Sequence, residues 1–324
     1  MEYYSKLHMS KIIITGASGF IGANLVSQLN DDELHLFVRK DSNMWRLKNL
    51  KSKFHLHKIN YQNKSQIQKV VNSIQPDYVF HLGTYGGYPY QQDIKKIIDS
   101  NIVASINLMQ SLSEYGKLEK FVNIGSSSEY GPKIKSMSET DLAEPTFPYG
   151  ITKWAQTYFS KYFFTKYQLP TVTLRLFSVY GPFEEPGRLI YDIMTHILKK
   201  NILKLSSKKT TRDFVFVDDV VNAIKQVSII PNIGGKIFNI GFGKEYSIEN
   251  IIDVVQNKLQ KDLQVSWGNL EKQRSFESET HWIADISKTK KELGWIPEFD
   301  IEKGLSKTFE WYKNNMFIYN EKSD

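Results

Sequence analysis

The sequence predicts an α/β fold in which a doubly wound parallel sheet is followed by a smaller C-terminal α+β lobe. Up to Tyr180, short β-branched runs alternate with amphipathic helical patterns, which is typical of a parallel sheet with helices on both faces. A glycine-rich stretch follows the first of these runs. With 324 residues, the chain is long enough for one large domain or two modest ones.

Each strand is predicted from a short run rich in β-branched and aromatic residues. The first, Lys11 to Thr15, reads Lys-Ile-Ile-Ile-Thr, as buried parallel strands do. Further strands are predicted at 34–38, 54–59, 77–82, 121–124, 171–176, 213–217 and 236–240. Helical periodicity predicts a first helix that ends near residue 30 and others at 65–74, 94–115, 149–167, 188–200, 220–229, 248–259, 288–293 and 301–311.

The order of these elements predicts two domains. A nucleotide-binding domain of the Rossmann type is expected at 9–177, and a smaller lobe at 178–324. The strands near 213–217 and 236–240 are expected to return to the main sheet.

Composition excludes several classes of function. The chain has no cysteine, which removes disulfides, thiolate metal sites and cysteine nucleophiles. Its seven histidines show no metal-ligand spacing, so no metal is expected. The net charge is +7, but the basic residues are scattered, so we expect no nucleic-acid partner. No apolar run is long enough for a membrane span and the first ten residues contain no signal-peptide core, so a cytoplasmic enzyme is expected.

The glycine-rich stretch predicts a dinucleotide site. Glycines between a strand and a helix allow a tight turn and a close approach of the backbone to a pyrophosphate. The helix N-terminus adds free N–H groups and the positive end of a dipole. We expect the cofactor phosphates to contact Gly16, Ser18, Gly19, Phe20, Ile21 and Gly22.

The end of the second strand indicates which cofactor is preferred. An acidic residue at this position takes the ribose 2′-hydroxyl of NAD, whereas an arginine takes the 2′-phosphate of NADP. The strand ends with Arg39 and Lys40, and Asp41 follows one or two places too late. NADP(H) is therefore favoured, and NAD(H) remains possible.

A tyrosine and a lysine four residues apart form the candidate reactive pair. Pro148 restricts the start of a helix to about Tyr149, and residues four apart on a helix share a face, so Tyr149 and Lys153 point into the same space. An ammonium near a phenol lowers the phenol pKa from its usual value of about 10. Alone, this pair is weak evidence because the chain has 18 tyrosines.

Several motifs in a fixed order carry a family resemblance. These are Thr15-Gly-x-x-Gly-x-x-Gly22, His81-Leu-Gly-Thr84, Asn101, Ser126, Tyr149-x-x-x-Lys153 and Arg212-Asp-Phe-Val-Phe-Val-Asp-Asp219. Together they resemble the extended short-chain dehydrogenase/reductases that modify nucleotide sugars, the nucleotide-sugar epimerase/dehydratase/reductase family. The resemblance covers roughly residues 11 to 312.

The resemblance implies roles for individual residues. Tyr149 would be the acid/base at a sugar hydroxyl or keto oxygen, Lys153 would assist it and hold the nicotinamide ribose, and Ser126 would hydrogen-bond the reacting oxygen. The family also implies a nucleotide-diphosphate sugar as partner and a homodimer. Cofactor contacts are implied for Asn60, Tyr61, Leu82, Gly83, Thr84 and Asn101, and substrate contacts for Tyr85, Ser127, Ser178, Arg188, Arg212 and Arg274.

Departures from related enzymes narrow the expected reaction. Sugar 4,6-dehydratases have an Asp-Glu pair where this chain has Ser127 and Ser128. Glu129 comes one place late and would lie on the opposite face if the strand continued. These differences favour chemistry at C4. The first expectation is an NADPH-dependent reductase of a nucleotide-linked 4-keto-6-deoxy sugar. The alternatives are a nucleotide-hexose 4-epimerase and, more weakly, a non-enzymatic NADP-binding protein.

Overall fold

A computed structural model describes residues 10–205, 207–268 and 281–323. The chain forms two compact units, each assembled from several chain segments. The first contains the chain up to Gly131 together with Leu142–Leu176 and Val221–Phe238, and the second contains Pro132–Asp141, Phe177–Val220 and the chain from Asn239 onward. The predicted domains at 9–177 and 178–324 divide the chain at one point, whereas these two units interleave along it.

A seven-stranded parallel sheet forms the centre of the fold. Its strands are β1 (Lys11–Thr15), β2 (Glu33–Val38), β3 (Phe54–Lys58), β4 (Tyr78–His81), β5 (Lys120–Ser126), β6 (Thr171–Leu176) and β10 (Ile237–Ile240). Their order in space is β10-β6-β5-β4-β1-β2-β3. The chain order therefore reverses between β1 and β4, which is the topological switch point where such sheets bind ligands. The predicted α/β doubly wound fold is confirmed.

Helices cover this sheet, and one of them has an unexpected irregularity. They are α1 (Phe20–Ser27), α2 (Lys64–Ile74), α3 (Ile94–Ile98), α4 (Ala104–Tyr115), α5 (Pro148–Tyr167) and α7 (Val217–Ile229). The long helix expected at 94–115 is interrupted by a π-helical turn at Asp99–Val103, which joins α3 to α4. Such turns are rare and occur frequently at functional sites.

The core of the first unit lies between the sheet and the helices α2 and α4. Ile13, Val79 and Phe121 lie on adjacent strands and belong to one buried cluster. Helix α2 contributes Ile67, Val71 and Ile74, and α4 contributes Leu108, Met109 and Leu112. The three- and four-residue spacing of these side chains forms one apolar helix face, as the periodicity of the sequence predicts.

The second unit has two small sheets. Strands β7 (Ser178–Tyr180), β9 (Thr211–Phe216) and β11 (Glu245–Ser247) form one sheet, and β8 (Leu203–Leu205) pairs with β12 (Val265–Trp267) in the other. Its helices are α6 (Leu189–Lys199), α8 (Ile248–Asp253), α9 (Ser287–Leu293) and α10 (Ile301–Asn315). Within the described ranges, no helix has the length and hydropathy needed to cross a membrane.

The strand near 213–217 corrects one expectation. It was expected in the main sheet, but β9 lies between β7 and β11 in the three-stranded sheet. Asp213 explains this position, because its carboxylate accepts hydrogen bonds from the backbone of Phe242, Gly243 and Ala284. The strand near 236–240 does lie in the main sheet, at its edge as β10.

A buried ion pair holds the turn that follows β5. The guanidinium of Arg175 donates to Glu129 at 2.7 Å, and both side chains are almost fully buried. Glu129 also accepts from the backbone N–H of Ser126 and from the hydroxyl of Thr157 on α5. Burial raises the pKa of Glu129, and Arg175 opposes this shift. One carboxylate therefore joins β5, β6 and α5.

We predict that Glu129→Ala lowers the free energy of unfolding by about 3–5 kcal/mol, because it leaves the buried Arg175 charge unpaired. Glu249→Ala is the matched control, since Glu249 forms an exposed pair with Lys208 and should cost at most about 1 kcal/mol. Urea denaturation of both variants measures the difference. Equal losses in the two variants would contradict the structural role assigned to Glu129.

Candidate active site

The glycine loop has the geometry of a phosphate cradle. Gly16 adopts a φ of +70°, and a Cβ there would lie 2.7 Å from the backbone of Leu82 and Gly83. A Cβ on Gly22 would lie 2.3 Å from the carbonyl oxygen of Gly16. Both positions therefore require glycine. A Cβ on Gly19 would meet only the Gly16 oxygen, at 3.1 Å, so this backbone faces open space at the start of α1, where a pyrophosphate could approach.

Two strand ends meet beside this loop at the switch point. Thr15 pairs with His81 across β1 and β4. The Thr15 hydroxyl lies 2.7 Å from Nδ1 of His81 and accepts from the N–H of Gly83 at 3.0 Å. The chain after β4 is thereby held against the glycine loop, which gives Leu82, Gly83 and Thr84 positions consistent with their predicted place beside a cofactor.

Ser126 ends β5 and caps a short 3₁₀ turn. Its hydroxyl accepts from the N–H of Ser128, and the Glu129 side chain accepts from the N–H of Ser126, which completes a capping box. Because the strand does not continue, Glu129 turns into the core and not toward an opposite strand face. Ser127 is buried in the same turn, where it stays predicted as a substrate contact.

Helix α5 begins with Pro148 at its first position and approaches this turn closely. Proline is tolerated there because the first N–H groups of a helix have no partner within the helix. A Cβ on Gly150 would lie 2.4 Å from the carbonyl oxygen of Ser128. Glycine at this position therefore allows the helix N-terminus, with Tyr149, to lie directly against the turn that carries Ser126.

The phenol of Tyr149 also faces the loop after β4. The nearest atoms to a Cβ built on Gly87 are the Tyr149 ring and its hydroxyl, at 3.7–3.9 Å. This loop is rich in glycine and tyrosine, from Tyr85 to Tyr90. A side chain at position 87 would therefore contact the tyrosine that is predicted to be catalytic, and glycine leaves the space beside this phenol open.

Lys153 is buried one helical turn after Tyr149. Its ammonium donates to the carbonyl oxygen of Ile124 on β5 and to the side-chain oxygen of Gln156. Burial lowers the pKa of Lys153 to about 8, and the Glu129 carboxylate opposes this shift. Below about pH 8, the group is therefore mainly an ammonium that favours the phenolate form of a neighbouring tyrosine.

Asn101 lies in the π-helical turn and is fully buried. Its amide oxygen accepts from Thr84 and from the N–H of Tyr85, and its amide nitrogen donates to Tyr85 and Thr152. These bonds fix the loop after β4 to helix α5. They support a positioning role, and the direct cofactor contact expected for Asn101 stays a prediction.

The tip of β2 carries the residues predicted to select the cofactor. Arg39 and Lys40 are exposed, and the Arg39 guanidinium donates to Asp41 at 3.1 Å. Tyr61 donates its hydroxyl to the Phe37 carbonyl at 3.0 Å, so it closes the end of β2. Asn60 is exposed in the following turn. Contacts of these residues with a cofactor stay predictions.

Sequence reasoning missed three polar residues at the site. Arg46 is buried, lies 4.3 Å over the Trp45 ring and donates to the Ser18 carbonyl in the glycine loop. Gln156 contacts Lys153, and Ser105 contacts both Gln156 and His81. The only signal for Gln156 was its place three residues after Lys153, on one helix face. Arg46 and Ser105 had no local signal, because distant segments provide their partners.

Three of the remaining predicted substrate residues, Ser178, Arg188 and Arg212, belong to the second unit. Ser178 is part of β7 and is half-buried, and Arg188 is exposed at the start of α6. Arg212 lies on β9, with its guanidinium 5.4 Å from the Trp282 ring. Arg274 lies outside the described residues. Roles for these residues at a nucleotide diphosphate stay predictions.

The turn after β5 and the start of α5 bring three candidate reactive side chains to one region of the first unit. Ser126 ends β5, Gly150 beside Tyr149 lies against that turn, and Lys153 donates to Ile124 on β5. A hydroxyl, a phenol and an ammonium in this order suit the removal or return of a proton at an alcohol or ketone. In the part of the chain that is described, no cluster of His, Asp and Glu could hold a metal ion.

Comparison with known proteins identifies the family of the chain. The family model for the NAD-dependent epimerase/dehydratase family matches residues 12–241. A UDP-glucuronate 4-epimerase of Thermodesulfobacterium geofontis (strain OPF15) is 29% identical over 322 residues, covering 95% of this chain and 98% of the relative. A dTDP-glucose 4,6-dehydratase of Neisseria meningitidis serogroup B is 24% identical over 335 residues, covering 95% and 94%.

A solved structure agrees with the sequence matches. The UDP-glucuronic acid 4-epimerase of Bacillus cereus, in complex with UDP-glucuronic acid and NAD, superposes with a TM-score of 0.81 at 28% identity and covers 94% of this chain and 99% of its own. These findings confirm the predicted resemblance to the nucleotide-sugar enzymes, but they do not support the predicted preference for NADP(H). The chain belongs to the NAD-dependent epimerase/dehydratase family.

Proposed function

We propose that the protein is a nucleotide-hexose 4-epimerase. One observation carries the proposal: the single carboxylate of the turn after β5, Glu129, is buried and paired with Arg175. Elimination of water, as in 4,6-dehydratases, needs a second acid and base beside the reacting tyrosine. Ser127 and Ser128 occupy those positions, and a serine hydroxyl does not act as the acid or the base that this elimination needs. The site is therefore suited to proton transfer at one sugar oxygen.

The residues of the first unit divide the work as follows. Tyr149 takes the proton from the sugar 4-hydroxyl and later returns it. Lys153 favours the phenolate that accepts this proton, and Ser126 donates a hydrogen bond to the same oxygen. A bound nicotinamide dinucleotide would supply the hydride chemistry at C4. The UDP-glucuronate 4-epimerase of T. geofontis and the UDP-glucuronic acid 4-epimerase of B. cereus support C4 as the reacting carbon and a UDP-sugar as the substrate class.

We infer that the cofactor is NAD(H), held by the glycine loop and by the chain after β4. An epimerase returns the hydride that it removes, so it has no need to exchange its cofactor. The structural neighbour from B. cereus contains NAD. At the tip of β2, Asp41 pairs with Arg39, so one of the two cations expected to read a 2′-phosphate is already bound to a carboxylate.

The NADPH-dependent reductase remains the second candidate function. It is favoured by the three basic residues near the expected ribose, Arg39, Lys40 and the buried Arg46, which contacts the glycine loop. A reductase would consume one NADPH for each 4-keto sugar, whereas an epimerase consumes none. Stoichiometry therefore separates the two candidates.

We also propose that two copies of the chain associate through helix α5. Ile151, Tyr158 and Tyr162 are exposed large apolar residues on this helix. Their spacing of seven and then four residues forms one stripe along it. A continuous exposed apolar stripe marks a protein interface, and a second copy provides a matching stripe by symmetry.

The epimerase is expected to convert UDP-glucuronic acid or UDP-glucose into a mixture with its 4-epimer, without added cofactor and without net change in NADH absorbance. Tyr149→Phe should reduce this turnover by about 100-fold or more, because it removes the acid/base group while it keeps the ring. Anion-exchange chromatography of the nucleotide sugars measures the product. Turnover that requires one NADPH per sugar, with a 4-keto substrate, would establish the reductase.

Purified protein should release NAD(H) when it is denatured, at about one molecule for each chain. Mass spectrometry of the extract identifies the cofactor. Arg39→Ala should leave this content unchanged, because Arg39 is exposed and paired with Asp41. An extract dominated by NADP(H), or loss of the cofactor in Arg39→Ala, would show that the β2 tip reads a 2′-phosphate.

The protein should have twice the mass of a 37.6 kDa chain in multi-angle light scattering. A charge in the stripe should separate the copies, so Tyr158→Glu is expected to be monomeric. Ile134→Glu changes another exposed apolar residue outside α5 and should remain dimeric. A monomeric wild type, or dissociation in both variants, would contradict the proposed interface.

A further inference from the structure

We propose that Gln156, Ser105 and His81 are positioning residues that join Lys153 to Thr15, the last residue of β1 before the glycine loop, through one continuous buried chain of hydrogen bonds. This proposal rests on the proposed function only because that function assigns a reaction to Lys153. The successive members of the hydrogen-bonded chain are Lys153, Gln156, Ser105, His81, Thr15 and the backbone N–H of Gly83.

The donors and acceptors of this chain allow a single arrangement of protons. Lys153 can only donate, so the Gln156 oxygen accepts from it and the Gln156 nitrogen donates to Ser105 at 2.9 Å. The one hydroxyl proton of Ser105 goes to the carbonyl oxygen of Asn101 at 2.8 Å. Ser105 must therefore accept from His81 as well, at 2.7 Å.

The same reasoning fixes the tautomer of His81. Because Nε2 donates to Ser105, a neutral ring has no proton on Nδ1, and Nδ1 accepts from the Thr15 hydroxyl. The Thr15 oxygen in turn accepts from Gly83. A charged His81 would carry a proton on Nδ1 and would force the Thr15 hydroxyl to point elsewhere. Burial keeps the ring neutral, since it lowers the pKa of His81 to about 3, with Lys153 adding to the shift.

Ser105 is the junction of the chain. Its hydroxyl oxygen accepts two hydrogen bonds, one from Gln156 on α5 and one from His81 at the β1–β4 switch point. Its own proton goes to the π-helical turn, where Asn101 holds the loop of Tyr85. The side chains that form these hydrogen bonds are all buried: Thr15, His81, Ser105, Gln156 and Lys153. Water therefore cannot substitute for a missing partner.

These hydrogen bonds fix the orientation of the Lys153 ammonium group. The ammonium has three N–H donors, and two of them go to Ile124 and Gln156. The third N–H is directed by these two bonds, and we assign it to Tyr149 or to the ribose of a bound cofactor. The charged or titratable groups whose charges act on Lys153, or on which Lys153 acts, are Glu129 on the turn and His81 on β4.

The decisive measurement is the pKa of Lys153 itself, by NMR of the full chain labelled with [ε-¹³C]lysine and without substrate. The signal is assigned by its loss in Lys153→Arg. Gln156→Leu removes an acceptor of the ammonium and should lower the Lys153 pKa by about one unit, a tenfold change in the protonation equilibrium. Gln156→Glu adds a carboxylate and should raise it. An unchanged pKa in both variants overturns the proposal.

Nitrogen NMR of His81 provides a second test that does not depend on turnover. Between about pH 5 and about pH 8 the ring should stay neutral with its proton on Nε2. Titration within this range, or a proton on Nδ1, overturns the proposal. Ser105→Ala should alter the ring resonances. Ser111→Ala is the matched control, because Ser111 is a buried serine on the same helix whose hydroxyl has no partner among the described residues.

Activity then separates this proposal from the proposed function. Gln156→Leu should lower kcat about twofold at pH 7 and about tenfold above about pH 9, following the protonation change, leave KM unchanged and move the alkaline limb of the pH profile to lower pH. Gln156→Glu should move that limb to higher pH. Equal losses with unmoved limbs indicate a structural role only and overturn the proposal. If the NMR shifts occur but no nucleotide sugar reacts, the epimerase assignment fails and the hydrogen-bonded chain stands.

Discussion

The burial of one ammonium group is the constraint on which the rest of this site depends. A lysine removed from water needs oxygen acceptors in fixed positions, and the fold provides them from a strand end, a helix and the turn between them. The acceptors are Ile124 and Gln156, with the Glu129 carboxylate nearby. Because desolvation lowers the pKa of Lys153 only to about 8, the group keeps its charge near neutrality and yet responds to small changes around it.

The close approach of α5 to the turn after β5 follows from this requirement. If Gly150 carried a side chain, the helix would move away from Ser128, and Lys153 on the next helical turn would lose its carbonyl acceptor. Glu129 holds the same interface from the inside, through Thr157 and the N–H of Ser126. Its charge is thus used to build the site, and the proposed mechanism accordingly assigns proton transfer to Tyr149 alone.

The sequence predicted those parts of the fold and site that depend on local patterns. The β-branched run at Lys11, the glycine spacing and the four-residue step from Tyr149 to Lys153 all depend on neighbours along the chain, and the structure has the corresponding strand, loop and helix. Glu129 was expected on an opposite strand face, and its inward turn became visible only with Arg175, which is 46 residues away. A local pattern contains no information about such a partner.

Two elements differ from their sequence prediction for the same reason: the π-helical turn at Asp99–Val103 and the strand at Thr211–Phe216. Nothing in the periodicity of 94–115 predicts a π-helical turn. The turn places Asn101 where its side chain forms hydrogen bonds with the backbone of Tyr85 in a separate loop. The strand at Thr211–Phe216 reads like any buried strand, and its place in the small sheet depends on three backbone N–H groups that meet Asp213. Tertiary hydrogen bonds overrode the local pattern in both cases.

The motif from Arg212 to Asp219 contributes to the fold of the second unit through its two buried carboxylates. In the stretch from Arg212 to Asp219, Asp213 is bound to backbone N–H groups and Asp219 accepts from the backbone of Glu298 and Phe299. Both carboxylates are buried, so they anchor chain segments and do not meet a substrate. A motif that stabilises the fold can occur in both epimerases and dehydratases. These two carboxylates therefore cannot distinguish one sugar from another. The loop at Gly87 is a better candidate for that role, because a Cβ there would lie 3.7–3.9 Å from the Tyr149 phenol.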